Sequence, residues 1–422
     1  MSWTIWAAII VVAVVIYALV KRWETKLVLL AAGFFLAALS LDPMMAFKQF
    51  DKSMTNGGLI VSICSAMGFA TVVSLTKCDV HLVTLLTRPL RKMGILLLPL
   101  CMIVTGCIAV AIPSTAGCCA AVGPTLIPLL IRSGFRPAIA GAAVVGSITP
   151  GLLNPGSAHN VFISKLADVE VINFIGKFAG YTLAASAFII IVVFLLCLIY
   201  HDYNASQDST VSSTQTPDGE STVQPKLLYA VAPLIPVIIL VAASIFAPEL
   251  KMSVATAMLL GSVYAIAVTR TSPEKACKEF FNGMGRGYAT ILGIIIAAGV
   301  FVAGLRAAGV VDLFVNYLQH ANEVAKIGGA TGPYLLGLVT GSGDAATFAF
   351  NEAVTPHAEK FGLSRDYLGY LAMLSGHLGR LSSPLCGGLI LTAGLAGVNP
   401  LEIVKRTLPA MLITLIAAYF IL

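Results

Sequence analysis

The residues able to do chemistry in this 422-residue chain gather at four interruptions of apolar segments. One break reads Pro113-Ser114-Thr115-Ala116-Gly117, and another reads Gly341-Ser342-Gly343-Asp344-Ala345-Ala346-Thr347. The other two run from Ser147 to Asn160, through Pro150, Asn154, Pro155, Ser157 and His159, and from Gly376 to Gly388, through His377, Arg380, Ser382, Ser383 and Pro384. Proline removes a backbone donor and glycine relaxes the chain, so a helix passing through such a sequence breaks. A broken helix presents half-helix N-termini whose free N–H groups and positive dipole ends attract anions. Ser114, Thr115, Asn154, Ser157, Ser342, Thr347, Ser382 and Ser383 are the candidates to complete a carboxylate site with hydroxyl and amide groups. The plainer role of such residues is hydrogen bonding between apolar helices.

Charge at these positions is more telling, because an ionisable group at membrane depth is costly and lines a cavity or pairs. Arg380 can make a two-pronged contact to a substrate carboxylate, or it can neutralise Asp344 or Glu352. Asp344 and Glu352 are candidates to bind a coupling proton or Na+, and His159 and His377 are candidates to relay protons. Each also has a structural alternative: pairing with a basic neighbour for the acids, a neutral hydrogen-bonded ring for the histidines. No GxxxxGK[ST] phosphate loop occurs, so a pump driven by its own ATP hydrolysis is disfavoured, and no HExxH or GxSxG supports an enzyme. The nine cysteines show no CxxC spacing, which argues against a zinc site or a disulfide framework and for buried packing. No resident cofactor or metal is expected.

The elements that must hold these breaks are membrane helices. The chain is 58% hydrophobic and 11% charged with a mean hydropathy of +0.92, whereas soluble domains carry about 25% charge. Crossing a bilayer takes roughly 20 apolar residues. Ten segments qualify, near 3–20, 27–43, 57–76, 137–164, 174–200, 227–247, 253–269, 283–306, 366–393 and 406–422. The first lacks a basic leader and a small-residue cleavage site, so it is expected to be retained. Stretches 94–131 and 331–360 are interrupted midway and are expected to be re-entrant hairpins, the alternative being two short crossings each. Irregular backbone survives at membrane depth only where protein or a water-filled cavity satisfies it, so a hairpin tip implies a lined site.

With the N-terminus outside, cytoplasmic loops hold Lys21, Arg22, Lys26, Arg88, Arg91, Lys92, Arg132, Arg136, Lys226, Arg270, Lys275, Lys278, Lys405 and Arg406, against a thinner external scatter. The formal charge of +6 is therefore topology and does not indicate nucleic acid. Residues 201–226 are Ser/Thr-rich and lack periodicity, which predicts a cytoplasmic linker between an N-terminal half, 1–200, and a C-terminal half, 227–422. The halves match. Lys48, Phe50, Met54 and Gly57 pair with Lys278, Phe280, Met284 and Gly287 at a spacing of 230 residues, and Pro155, Ala167 and Val169 with Pro384, Ala396 and Val398 at 229. Val104-Thr105-Gly106 likewise matches Val339-Thr340-Gly341 before each hairpin tip. Five crossings plus a hairpin per half is an odd number of crossings, so the expected fold is an all-α polytopic membrane protein built as an inverted repeat, with its site at the midplane.

The stretches IPSTAG at 112–117, ITPGLLNPGSAHN at 148–160, GSGDAATFAFNEA at 341–353 and GHLGRLSSP at 376–384 resemble the C-type anaerobic C4-dicarboxylate carrier family of the ion-transporter superfamily. The likeness runs over nearly the whole chain. It implies an elevator-type carrier of succinate, fumarate, malate and aspartate in the bacterial inner membrane, working by exchange or ion coupling. It also implies a small dicarboxylate anion, membrane lipid and a second copy of the chain as partners. A carrier of another organic anion would keep the same fold. An ion channel is the rival class, and an inverted repeat favours alternating access over it.

Overall fold

The computed structural model describes residues 3–21, 23–87, 94–112, 114–204, 224–250, 252–311, 313 and 322–421. Within them the chain is helical, and the one β contact is an isolated antiparallel bridge between Phe135 and Tyr203. The N-terminal half contains α1 (Trp3–Val20), α2 (Thr25–Leu39), α3 (Pro43–Met54), α4 (Gly57–Leu75), α5 (Cys78–Thr87), α6 (Leu97–Ala111), α7 (Thr115–Arg132), α8 (Pro137–Gly146), α9 (Ala158–Leu166) and α10 (Val171–Ile199). The C-terminal half contains α11 (Leu227–Val231), α12 (Ile235–Phe246), α13 (Val254–Thr269), α14 (Pro273–Gly287), α15 (Gly293–Ala307), α16 (Asn322–Thr340), α17 (Gly343–Ala353), α18 (Arg365–Leu381), α19 (Gly387–Ala396) and α20 (Pro400–Ile421).

Sequence explains the local starts. Asp42 caps α3, which opens on Pro43, and Asn56 caps α4 by accepting the Leu59 N–H at 3.4 Å. Both α3 and α14 begin on proline, carry their charges on one side, and precede an apolar helix in their half. A π-helical turn at Tyr288–Leu292 joins α14 to α15.

Among the described residues, seven helical stretches are long and apolar enough to cross a membrane, among them Gly57–Leu75, Val171–Ile199, Pro273–Ala307 and Pro400–Ile421. That differs from ten. The remaining apolar helices are shorter: Thr25–Leu39 has 15 residues and rises about 22 Å, less than the roughly 30 Å hydrocarbon core. The expected crossing at 366–393 divides into α18 and α19, neither of which reaches 18 residues. Both arms of the first hairpin, Gly94–Ala111 and Thr115–Arg132, are among the seven, so by length either could cross.

The halves are not separate bodies. Helix α4 packs against α13 and α14, while α15 packs against α2 and α3. The largest hydrophobic core runs from Ala8 to Ala418 and draws on both halves. At the α2–α15 crossing a Cβ on Gly33 would lie 2.5 Å from the Val300 carbonyl oxygen, so glycine is what lets these backbones touch. The expected linker begins later than 201. Asp202 is fully buried and holds Arg406 through two bonds of 2.6 and 2.7 Å, and the Arg136 N–H donates to the Asp202 carbonyl. Residues 205–223, the rest of that linker, lie outside the described residues, as do Pro113 and the basic cluster Arg88, Arg91 and Lys92.

Candidate functional site

The first broken helix is rebuilt by its own amides. After α8, a 3-10 turn over Thr149–Leu153 leads into extended backbone at Asn154. The Asn160 amide donates to the carbonyls of Leu152 at 2.6 Å and Asn154 at 2.9 Å, replacing partners that a continuous helix would supply. Asn154 is buried and bridges to the hairpin: its Nδ2 donates to the Val110 carbonyl at 2.6 Å, and its Oδ1 accepts the Gly156 N–H at 2.7 Å. Ser114 caps α7 by accepting the Gly117 N–H at 3.2 Å. Ser157 stands at the start of α9, half-buried, with no capping bond from its side chain.

The second break uses hydroxyls where the first uses amides. Ser382 Oγ donates to the Leu378 carbonyl at 2.9 Å and meets the Tyr334 hydroxyl at 3.1 Å, and Ser383 Oγ accepts the Leu385 N–H at 3.2 Å. At the second hairpin tip Gly341 has φ +72°, and a Cβ there would lie 2.6 Å from the Leu385 carbonyl carbon. Only glycine fits this turn. Ser342, the residue before α17, gives its N–H to Thr340 Oγ1 at 3.2 Å.

Four of the predicted ionisable residues come together where α9, α17 and α18 meet. Asp344 Oδ1 receives Arg380 Nη1 at 2.9 Å and His159 Nε2 at 3.0 Å. Arg380 Nη2 lies 3.2 Å from His377 Nδ1. Arginine has no acceptor, so His377 Nδ1 accepts and its proton is on Nε2. The His159 ring stacks on Phe348 at 4.5 Å between centroids. Arg380 therefore pairs with Asp344 and not with Glu352. Glu352 accepts from Gln49 Nε2 at 3.3 Å, and its carbonyl accepts from Arg306 at 3.0 Å, which ties it to α3 and α15 instead. Within the four-residue network, Arg380 Nε, His377 Nε2 and His159 Nδ1 are buried without a hydrogen-bond partner.

The remaining candidates divide by surroundings. Thr347 is buried against Gly376, so its hydroxyl fills a helix contact. Thr115 is buried and meets Gly388 of α19, facing the second broken helix. Ser114 and Asn154 instead line a cavity of about 530 Å³, bounded by α4, α5, α7 and the α11–α13 region. Its other polar lining is Ser74, Thr84, Thr125 and Asp79, none of which the sequence singled out. Asp79 carries no breaker motif, and only the fold turns it to this space. Among the described residues no cluster of three metal-ligand side chains occurs.

The family model described as C4-dicarboxylate anaerobic carrier matches residues 5–422. An uncharacterized transporter of Haemophilus influenzae is 43% identical over 272 residues, covering 63% of this chain and 98% of that one. The anaerobic C4-dicarboxylate transporter DcuC of Escherichia coli K12 is 25% identical over 377 residues, covering 86% of this chain and 80% of that one. In fold, the chain is similar to the YdaH transporter of Alcanivorax borkumensis, with a TM-score of 0.64 at 15% identity over 89% of this chain and 86% of that one. A multi-pass helical chain with paired breaks, a charged network joining its two halves and a family match over nearly its whole length belongs to the anaerobic C4-dicarboxylate carrier family.

Proposed function

We propose that this chain is a secondary active carrier of C4-dicarboxylates such as succinate, fumarate, malate and aspartate in the bacterial inner membrane, working by alternating access. The observation that carries the reading is the pair of buried N–H donors, Arg380 Nε and His377 Nε2, left without acceptors beside the Arg380–Asp344 pair. A buried donor without a partner costs about 1–3 kcal/mol, and a substrate carboxylate offers oxygens to answer both. Residues 1–200 and 227–422 are read as inverted repeats, a reading supported by the same order of amphipathic helix, apolar helix, hairpin and broken helix in each. The hairpins and broken helices then move as an elevator-type unit against the remaining helices, which in a homodimer would pair two copies. Exchange or a gradient of protons or Na+ drives the cycle, with Asp344, Glu352, His159 and His377 as candidate coupling residues.

Counterflow in proteoliposomes loaded with unlabelled succinate tests this. Labelled succinate should accumulate, and fumarate, malate and aspartate should compete, while imposed proton or Na+ gradients identify the coupling. Counterflow with citrate or gluconate but with no four-carbon acid would transfer the protein to another organic anion on the same fold.

A further inference from the structure

The charged network where α9, α17 and α18 meet leaves one strong acceptor open. A close helix contact brings Asp344 to Arg380. A Cβ on Gly343 would lie 2.4 Å from the Gly376 carbonyl oxygen and 3.2 Å from Arg380 Cβ, so glycine before Asp344 is what lets α17 start this near α18. Both partners of Asp344 then use a single oxygen. Arg380 Nη1 and His159 Nε2 reach Oδ1 at 2.9 and 3.0 Å, and among the described residues no hydrogen bond or ion pair reaches Oδ2. The Asp344 side chain is 39% exposed, against 18% for Arg380 and 13% for His159, so the carboxylate is the part of this cluster that a ligand touches most freely.

Two unanswered donors stand beside this open acceptor. Arg380 Nε and His377 Nε2 are buried without a partner, and His377 as a whole is 5% exposed. The cluster therefore offers N–H groups to a carboxylate and one carboxylate oxygen to a donor. Its fixed charges, Arg380 and Asp344, cancel. A ligand that brings two carboxylates and nothing positive sets its negative charge beside Asp344, and in a poorly solvated site such a like-charge contact is unfavourable. An ammonium next to the ligand carboxylate removes the conflict, because it presents charged donors to Oδ2.

We infer that Asp344 is a specificity-determining residue: its Oδ2 takes the ammonium of an amino-bearing dicarboxylate while Arg380 and His377 donate to the carboxylate beside that ammonium. This rests on the dicarboxylate reading above and narrows it. Aspartate then answers every open group of the cluster at once. Succinate answers the two donors and leaves Oδ2 facing an apolar methylene, with the repulsion uncompensated. Malate lies between them, since its hydroxyl gives Oδ2 one neutral donor in place of a charged one.

The test is titration calorimetry of the full-length protein in detergent with aspartate, malate, succinate and asparagine. The wild type should bind aspartate roughly ten- to a hundredfold more tightly than succinate, with malate between them. Asp344→Asn weakens all of these through Arg380, so the quantity to read is the ratio of aspartate to succinate affinity, which should collapse toward one. A merely structural Asp344 would lower the affinities together and keep the ratio, and that result overturns the inference. A wild type that binds succinate as tightly as aspartate also overturns it, a measurement that needs no variant to fold. Asparagine keeps the ammonium and its neighbouring carboxylate but lacks the second one. If it binds as tightly as aspartate, the dicarboxylate reading fails while the ammonium contact stands; a folded wild type that binds none of the four brings down both.

Discussion

Arg380 concentrates the electrostatic question at the scale of single residues. Its guanidinium forks, one arm on Asp344 and the other on His377, and its Nε is left for a further acceptor. Arg380→Lys keeps the charge and loses the planar fork, since an ammonium on a flexible stem cannot serve these directions together. Succinate affinity should fall roughly ten- to a hundredfold while the protein remains folded, as expected for loss of a charge-assisted bond. Wild-type binding in this variant would remove Arg380 from the substrate. Asp344→Asn should impair transport too, because it leaves the arginine half-answered, and adding Arg380→Gln should return stability without returning transport. Recovery of transport in the double variant would make the pair purely structural. The sequence placed Arg380, Asp344, His159 and His377 on one list of candidates. It left the partner of Arg380 open between Asp344 and Glu352, since Glu352, five residues after Thr347, meets Gln49 of α3 only once α17 is packed on α15.

Elements decide which polar residues of a break face ligand and which hold the break together. Asn154 and Asn160 carry the first break, Ser382 and Ser383 the second, and these groups answer backbone or side-chain partners within a few ångströms. Ser114 and Ser342, at the two hairpin tips, are the better substrate candidates. Ser114→Ala and Ser342→Ala should each weaken succinate binding, by roughly the 0.5–1.5 kcal/mol of one neutral hydrogen bond, with the fold retained. Unchanged affinity in both would take the tips out of the site. Gly341→Ala should behave differently, since it forces a side chain into a left-handed backbone and against Leu385. Strain of about 1–3 kcal/mol is expected there, read as a lowered Tm accompanied by loss of counterflow.

The whole molecule is held by contacts that join distant parts of the chain. The buried Asp202–Arg406 pair links the end of α10 to α20 across 204 residues of sequence. Asp202→Asn strands the arginine, so stability should drop by about 3–5 kcal/mol, visible as a lower Tm in detergent, with Asp202→Asn/Arg406→Met recovering most of it. A Tm unchanged in the single variant would show that water replaces the aspartate. Topology has its own test: single cysteines placed in 205–223 should react with impermeant reagents only from the cytoplasmic side, and labelling from outside in intact cells would remove the inverted-repeat reading.

Composition and pattern alone determined that this chain is a helical membrane protein, where its helices break, and which family it resembles. Those features are local: apolar run length, proline and glycine position, and the spacing of polar residues along one segment. Tertiary structure decided how the breaks are used. It set His159 of the N-terminal half on Asp344 of the C-terminal half, separated Glu352 from Arg380, turned Thr347 and Thr115 into packed contacts, and brought Asp79 to a cavity. No period in the sequence encodes these outcomes. They depend on the relative rotation and depth of helices that meet only when one core, drawn from both halves, closes around them.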